Sequence, residues 1–260
     1  RYGNGLAVNM PPPTQGLASL LILGQLDHFH LARHSHLSAD YVHLVVEATK
    51  QAFRLRDRHV ADPDHVAVPV DELLSPTTTA DLADAIDVSR AAPWGRGVGP
   101  ADTVWFGVVD AKGRAVSAIQ SIYHEYGSGV VAGETGVIWQ NRGASFSLDP
   151  RHVNVLKPGK RPFHTLNPAM YLENGRPRLV YGTMGGDGQP QTQAAVITRA
   201  LDYRLPLPEV LDSPRWLLGR TWGQSSDSLK LEGRFAPEVF DELEHRGHVV
   251  ERVLLCKAPS

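Results

Sequence analysis

The sequence changes its pattern at residues 88–101, "VSRAAPWGRGVGPA", and this change constrains the fold more than any other feature. The stretch contains two prolines and three glycines without hydrophobic periodicity, which is typical of an exposed loop. Before it, apolar residues recur at helical spacing; after it, they form short runs that predict strands. Helices followed by strands, with helices returning later, favour a layered α+β or α/β core.

Five helices are predicted from the spacing of apolar residues. Ser38 is expected to cap the second helix, and Ser75 with Pro76 forms the cap and first turn of the third. The predicted helices run from Leu17 to Leu26, from Ser38 to about Arg58, from Ser75 to about Ile86, over 189–202 and over 236–246.

The strands are predicted to begin with a hairpin, in which "TVWFGVVD" and "RAVSAIQSIY" are joined by "DAKG". Both strands are apolar at most positions, as expected for a sheet that is covered on both faces. Further strands are expected at 136–140, in a second hairpin turned by "ENG" at 173–175, and in "HVVERVLL" near the end.

Composition excludes two classes of partner. The 260 residues are 42% hydrophobic and carry a formal net charge of −2 without a cluster of Lys or Arg, so nucleic acid is not expected as a partner. The longest apolar run, around Leu20 to Leu23, is far shorter than the roughly 18 residues of a membrane-spanning helix, so no membrane partner is expected.

The ends of the chain and its single cysteine, Cys256, say little about localisation. One cysteine excludes an internal disulfide and leaves the compartment open, cytoplasmic or periplasmic. Because the chain begins with Arg1 and shows no signal peptide, we expect it to be an internal or processed piece.

Two motifs could hold a metal or a nucleotide. His28, His30, His34 and His36 lie close together in "HFHLARHSH", but no cysteine or well-spaced carboxylate joins them, and a polar turn between helices is the alternative. The glycine-rich "GTMGGDG" at 182–188 lacks the Lys-Ser/Thr pair of a phosphate loop. We therefore expect neither a metal nor a cofactor.

Thr103 stands where the loop ends and the first strand begins, directly after Asp102. A hydroxyl is a weak nucleophile without a base, but an N-terminal threonine carries a base in its own α-amine, which titrates near 8. Cleavage after Asp102 would make Thr103 such a residue. The alternative is a β-branched residue that begins a strand, and the residues alone leave both open.

Six blocks that occur in order along nearly the whole chain resemble the γ-glutamyltranspeptidase family of N-terminal nucleophile (Ntn) hydrolases. The blocks are "NMPPPTQG", "EATKQAFRLRDRHVADPD", "FGVVDAKGRAVSAIQS", "YGSGVVAGETGV", "KPGKRPFHTLNPAM" and "GTMGGDGQPQTQ". The resemblance implies an α+β fold, a four-layer αββα sandwich that is incomplete in this chain. It also implies autocatalytic cleavage between Asp102 and Thr103. Residues 1–102 would then be the C-terminal part of the large chain, and 103–260 the small chain without its C-terminus.

The resemblance also implies roles for single residues. Thr103 matches the nucleophile, and Ser121 a threonine that hydrogen-bonds the nucleophile's amine. Gly185 and Gly186 match the glycine pair whose N–H groups hold the oxyanion, although a simple helix-entry turn remains the alternative. The remaining matches are His164 and Thr165, which stand where the family has two serines facing the substrate carboxylate.

Departures from the transpeptidase pattern concern the recognition of the substrate's α-ammonium. Ser145 stands where the transpeptidases carry an acidic residue, Arg142 replaces a glutamine-type residue, and Tyr123 replaces an asparagine. A site that loses a carboxylate and gains a guanidinium favours an acidic acyl group. These features resemble the family's amidohydrolase- and acylase-like branch, although Arg142 could instead brace the core or lie on the surface.

The sequence therefore predicts an Ntn amidase that hydrolyses or transfers a γ-glutamyl or related acidic acyl group. Its partners would be a small-molecule amide and the rest of the large chain, which contributes a substrate-binding arginine from before Arg1. The alternative function is a catalytically inactive or unprocessed relic that acts as a binding or structural module.

Overall fold

The computed structural model describes residues 1–95, 102–219 and 226–253, with Asp102 described by its backbone alone. In these ranges the helices are α1 (Gly16–Leu26), α2 (Ala39–His59), α3 (Val70–Leu73), α4 (Pro76–Asp84), α5 (Gly188–Leu201), α6 (Leu207–Asp212) and α7 (Pro237–His245). The strands are β1 (Leu6–Val8), β2 (Asp102–Val109), β3 (Ala115–Tyr123), β4 (Ala169–Glu173), β5 (Arg176–Tyr181), β6 (Trp216–Leu218), β7 (Leu229–Glu232) and β8 (Val250–Val253).

The predicted helix starts before Thr103 are confirmed. The Ser38 side chain accepts a hydrogen bond from the Tyr41 amide (3.3 Å), and Ser75 accepts one from Thr78 (3.1 Å) with Pro76 in the first turn of α4. Each contact satisfies an amide that the helix leaves unpaired at its N-terminus.

Helices α1, α2 and α5 form one layer, which packs on the sheet of β1, β4 and β5. The side chains in their common core are fully or nearly fully buried. They include Leu21, Ile22, Val42, Val45 and Ile197 from the helices and Ala7, Ala169, Tyr171 and Tyr181 from the strands.

The sheet of β1, β4 and β5 joins the parts of the chain before and after Thr103. Strand β1 pairs with β4 in antiparallel register, with Ala7 opposite Tyr171, and β4 forms the "ENG" hairpin with β5. Asn174 and Gly175 adopt positive φ in that turn (51° and 73°), as such a tight hairpin requires. The predicted second hairpin is therefore confirmed.

Strands β2 and β3 form the first predicted hairpin, which lies against β5 as a second sheet. Trp105 packs so closely on Gly182 that a Cβ atom there would collide with the indole ring. On the opposite face, Val104, Phe106 and Val116 are 49–56% exposed. The expectation that this sheet is covered on both faces is wrong for the described chain. Apolar composition predicts a strand but not which element covers each of its two faces.

The third sheet places β7 between β6, which is antiparallel to it, and β8, which is parallel. Helix α7 connects β7 to β8, and Leu229, Leu231 and Leu243 are buried between the helix and the sheet. The predicted strand "HVVERVLL" is shorter in the structure, Val250–Val253; its last two residues lie outside the described ranges, as does Cys256.

The strand predicted at 136–140 is wrong. This segment forms an isolated bridge between Val131 and Ile138, and Gly133 and Gly136 turn the chain with φ of 56° and 71°. Apolar residues suggested a strand, but Gly136 begins the segment in a left-handed conformation, and the backbone hydrogen bonds of Val137 and Trp139 reach only to residues 128–132. The helices predicted at 189–202 and 236–246 are confirmed as α5 and α7. No helix in the described parts is long and apolar enough to cross a membrane.

Candidate active site

Thr103 lies in β2 opposite an irregularity of β3. Asp102 pairs with Tyr123 and Val104 with Gln120, so two residues of β3 face Thr103 alone. Such a bulge locally redirects side chains and is common beside active sites. Thr103 is only 7% exposed, on the face of β2 that packs toward β5.

Ser121 and Ile122 are the two bulged residues of β3, and Tyr123 follows them. The Ser121 hydroxyl accepts a hydrogen bond from the Tyr123 amide (2.9 Å), and Tyr123 adopts a positive φ of 79°, which is uncommon for a bulky residue. The bulge thus brings Ser121 and the Tyr123 ring to the same cavity.

Gly185 and Gly186 form the buried turn that precedes α5, with φ of 98° and 52°. Their carbonyls accept hydrogen bonds from the amides of Gly188 (2.7 Å) and Gln189 (3.2 Å). Neither glycine amide donates to another protein atom in the described parts of the chain. A turn at a helix N-terminus with two available amides is suited to binding an anion.

Arg142 is buried, which excludes the alternative of a surface arginine. Its guanidinium donates to the hydroxyls of Thr165 (Nη2, 3.1 Å) and Ser145 (Nη1, 3.4 Å) and lies 3.6 Å from the centre of the Tyr123 ring. Among the described residues no carboxylate forms an ion pair with it. Burial lowers the pKa of Arg142 to about 10, so it is still a cation at neutral pH.

His164 is held by the backbone, since its amide donates to the Pro13 carbonyl and its carbonyl accepts from the Gln15 amide (both 3.1 Å). Burial, followed by the charges of Arg142 and Arg161, lowers the pKa of His164 to about 4. The imidazole is therefore neutral at physiological pH and can donate one hydrogen bond and accept another.

A cavity of about 320 Å³ brings four of the predicted site residues together. Its lining consists of Pro13, Ser121, Tyr123, Gln140, Arg142, Arg161, Pro162, His164 and Leu166. Thr165 and Ser145 do not line it but hydrogen-bond the Arg142 guanidinium, whereas Thr103 and the glycine turn lie outside the lining. A larger cavity of about 580 Å³, beside Tyr2 and Asp202, contains none of the predicted site residues.

Sequence reasoning missed the buried polar residues behind the site. The Arg56 guanidinium pairs with Asp187 (2.9 Å) and donates to Gln15 Oε1 (3.0 Å). Gln15 Nε2 in turn donates to the carbonyls of Gly186 and Thr165. Gln15, Arg56 and Asp187 stand in three of the six family-like blocks. The partners in these contacts are separated by 41 to 171 residues in sequence, so no local pattern indicates them.

The structure brings together a different set of possible metal ligands from the predicted histidine run. His28 contacts Thr79 (3.2 Å) and His34 contacts Asp40 (3.1 Å). Among the described residues, the group of three suitable side chains is His43, Glu47 and His248.

The polar atoms of His43, Glu47 and His248 already have partners in the protein. His43 Nδ1 lies 2.8 Å from His248 Nε2, and the Lys50 ammonium lies 2.7 Å from Glu47. Because a lysine cation neutralises the only carboxylate, these residues do not fit a divalent metal.

Comparison with known proteins places the chain in a family. Residues 2–255 match the family model described as gamma-glutamyltranspeptidase. The chain is 59% identical over 251 residues to the oxamate amidohydrolase proenzyme of Klebsiella pneumoniae, covering 96% of this chain and 47% of that protein. It is 46% identical to the glutathione hydrolase-like YwrD proenzyme of Bacillus subtilis, covering 94% and 46%.

The fold agrees with a solved structure of the same kind. The cephalosporin acylase of Bacillus halodurans superposes with a TM-score of 0.85 at 35% identity, covering 98% of this chain and 45% of that one. The expected Ntn-hydrolase fold, incomplete in this chain, is confirmed, and the chain spans about half the length of the relatives it matches. The order of the six blocks, the folded core and these matches together show that the chain belongs to the γ-glutamyltranspeptidase family.

Proposed function

We propose that the protein is an amidase that cleaves itself before Thr103 and then transfers the acyl group of a small acidic amide to the Thr103 hydroxyl. The observation that carries this proposal is Arg142, a buried cation beside a cavity, which contacts hydroxyls but no carboxylate of the described chain. An acidic acyl group would supply the missing negative charge.

The proposed self-cleavage makes the catalytic base. The Thr103 hydroxyl adds to the Asp102 carbonyl carbon, and the Thr103 nitrogen leaves as an amine after gaining a proton, which produces an ester. Water hydrolyses this ester into the Asp102 carboxylic acid, which ionises, and a free Thr103 hydroxyl. The new α-amine has an ordinary pKa near 8, so a useful fraction is neutral at physiological pH.

Amide hydrolysis would then follow in two steps. The α-amine takes the hydroxyl proton as Thr103 attacks the substrate carbonyl, and the leaving amine or ammonia departs with that proton. Water hydrolyses the resulting acyl-enzyme, or an amine acceptor takes the acyl group. The amides of Gly185 and Gly186 are suited to stabilise the oxyanion that forms in each step.

The acyl group we propose is small and carries a carboxylate. Arg142 would bind that carboxylate, while the neutral Ser145 offers no charge to a substrate ammonium. A relative at 59% identity is named for oxamate, an amide that bears a carboxylate, which supports this substrate class. Oxamate and glutaryl amides are therefore preferred over γ-glutamyl amides, which add an ammonium group near Arg142.

The function is tested on the full-length protein by mass spectrometry and by amide hydrolysis. We expect a fragment that begins at Thr103, release of ammonia from oxamate and hydrolysis of a glutaryl anilide. Thr103→Ala should give one uncut, inactive chain. An uncut wild-type protein without activity would instead favour the inactive relic, which the proenzyme names of the relatives do not support. A strong preference for γ-glutamyl amides would contradict the substrate assignment.

A further inference from the structure

We propose that Gln15 is a positioning residue. It holds the Gly185–Gly186 turn at a fixed distance from the backbone of Thr165, the residue whose hydroxyl contacts Arg142. This inference rests on the proposed function, because it assumes that the turn binds the oxyanion and that Arg142 binds the acyl carboxylate. Gln15 has no exposed surface and does not line the cavity, so its effect on the substrate would pass through the segments it holds.

The Gln15 carboxamide contacts both halves of the candidate site with one atom. Its Nε2 donates to the carbonyl of Gly186 (2.7 Å) and to the carbonyl of Thr165 (2.9 Å). A primary amide has two N–H groups on one nitrogen, so both are used. These two carbonyls lie 21 residues apart in sequence, and Gln15 is a direct polar connection between them.

The orientation of the carboxamide is fixed by charge. Gln15 Oε1 accepts from Arg56 Nη1 (3.0 Å), and Arg56 also pairs with Asp187, the residue that follows Gly186. A flipped amide would point its N–H groups at the guanidinium and its oxygen at two carbonyl oxygens. Both arrangements are repulsive, so one orientation is strongly favoured.

Each tethered carbonyl lies beside a group that the proposed reaction uses. The Gly186 carbonyl that Gln15 holds belongs to the same residue as one of the two oxyanion amides. Gly186 has a positive φ of 52°, and a glycine can change this conformation at little cost. The Thr165 carbonyl belongs to the residue whose hydroxyl accepts from Arg142. Loss of the Gln15 contacts would free both segments at once, and displacements of about 1 Å can cost large factors in rate.

The main test compares two buried glutamines in the full-length, processed enzyme. Gln25 is equally buried, and its Nε2 also donates to two carbonyls, of Leu21 (3.0 Å) and Ala48 (3.2 Å), but it joins α1 to α2. Methionine is close to glutamine in volume and removes the donors in both variants. Rates are measured per active site, counted by titration of the acyl-enzyme, so that unfolded or uncut protein does not contribute.

We expect Gln15→Met to lower kcat by about tenfold to a hundredfold, since complete loss of an oxyanion donor costs about 10²–10³. The preference for a glutaryl over an uncharged valeryl anilide should fall as well, because Arg142 is also released. Gln25→Met should leave kcat per site and this preference within about twofold of wild type. Gln15→Glu, which keeps the Arg56 contact but faces the two carbonyls with oxygen, should resemble Gln15→Met.

The positioning role is overturned if either processed Gln15 variant keeps wild-type kcat per site and preference. It is also overturned if neither Gln15 variant folds while Gln25→Met folds normally, because Gln15 would then serve folding alone. Failure of the proposed function has a different result: the wild-type protein itself shows no Thr103-dependent hydrolysis of acidic amides.

Discussion

Arg56 and Arg142 are two buried guanidinium groups that differ in whether a carboxylate neutralises them. Each lies over an aromatic ring, Arg56 at 4.1 Å from the centre of Phe53 and Arg142 at 3.6 Å from that of Tyr123. Arg56 pairs with the carboxylates of Asp187 (2.9 Å) and Asp57 (2.8 Å), whereas Arg142 donates to two neutral hydroxyls.

The pKa shifts express this difference. Burial alone would lower the pKa of Arg56, but Asp187 and Asp57 outweigh burial and raise it. At Arg142 burial dominates and lowers the pKa to about 10. Arg56 has its counter-ions within the structure, whereas Arg142 contacts hydroxyls beside a cavity and is the cation that the proposed function assigns to an acidic acyl group.

The largest difference is expected in stability. Arg56→Gln would leave the buried Asp187 carboxylate without its cation, and removal of one partner from a buried pair costs about 3–5 kcal/mol. Arg142→Gln strands no carboxylate and should change the free energy of unfolding by less than about 1 kcal/mol. Urea unfolding of the two full-length variants measures both values, and equal losses would remove the distinction between the two arginines.

The next effect concerns the turn that the Arg56–Asp187 pair anchors. Gly186→Ala keeps that pair but places a Cβ at φ of 52°, so we expect kcat to fall by about 10²–10³ if an oxyanion amide is displaced. Gly175→Ala is a matched control, because Gly175 also has positive φ (73°) but lies in the exposed β4–β5 turn. Steady-state kcat that falls equally in both variants would indicate general backbone strain.

A smaller effect is expected from the charge of Arg142 itself. A charged hydrogen bond contributes about 1.5–3 kcal/mol, so Arg142→Gln should lower the glutaryl-to-valeryl ratio of kcat/KM by roughly ten- to a hundredfold. The same change should shift the preference toward γ-glutamyl anilides. Arg161→Gln provides the comparison, since Arg161 lines the cavity but is already paired with Asp62 (2.6 Å) and should have the smaller effect. An unchanged ratio in Arg142→Gln would remove Arg142 from substrate recognition.

The smallest effect is the change that Arg142→Gln makes in the pH dependence of stability, because burial lowers the pKa of His164 more than the charge of Arg142 does. The folded pKa of about 4 lies below the unfolded value near 6.5, so between these values the unfolded state binds more protons and stability rises with pH. His164→Gln should flatten that rise by no more than about 1.4 kcal/mol per pH unit. Arg142→Gln removes one of the two cations that lower the pKa of His164, so the pH range over which stability rises should become narrower. Unfolding curves from pH 4 to 7 test this, and identical slopes in all three proteins would contradict it.

The parts of the fold that local chemistry determines could be predicted from the sequence. Ser38 and Ser75 cap their helices through neighbours three residues away, and the "ENG" turn needs only the conformations of Asn174 and Gly175. At 136–140 the apolar residues led to a wrong prediction, because a left-handed glycine, Gly136, begins the segment and the pairing is limited to a short bridge. The exposure of Phe106 could not be predicted either, since it depends on what packs against a distant face.

For the candidate site, the sequence indicated which residue types matter but not how they are supported. Arg142, Tyr123 and His164 were predicted from a resemblance, and the structure brings them to one cavity. Gln15 and Arg56 were missed because their importance lies in contacts between distant segments. A glutamine in a loop and an arginine in a helix have many ordinary roles, and only the fold distinguishes among them.

The pairing of β1 with β4 has a consequence for the protein after cleavage. These strands lie on opposite sides of the bond before Thr103, yet they share one ladder of hydrogen bonds and one buried core. A cut there would turn one molecule into two without separating them, and folding would change from a unimolecular to a bimolecular reaction. Once unfolded, the cut protein would recover only by mass action, with a yield that depends on concentration. Cleavage would thus make the first folding, as one uncut chain, easier than any later refolding from two separate chains.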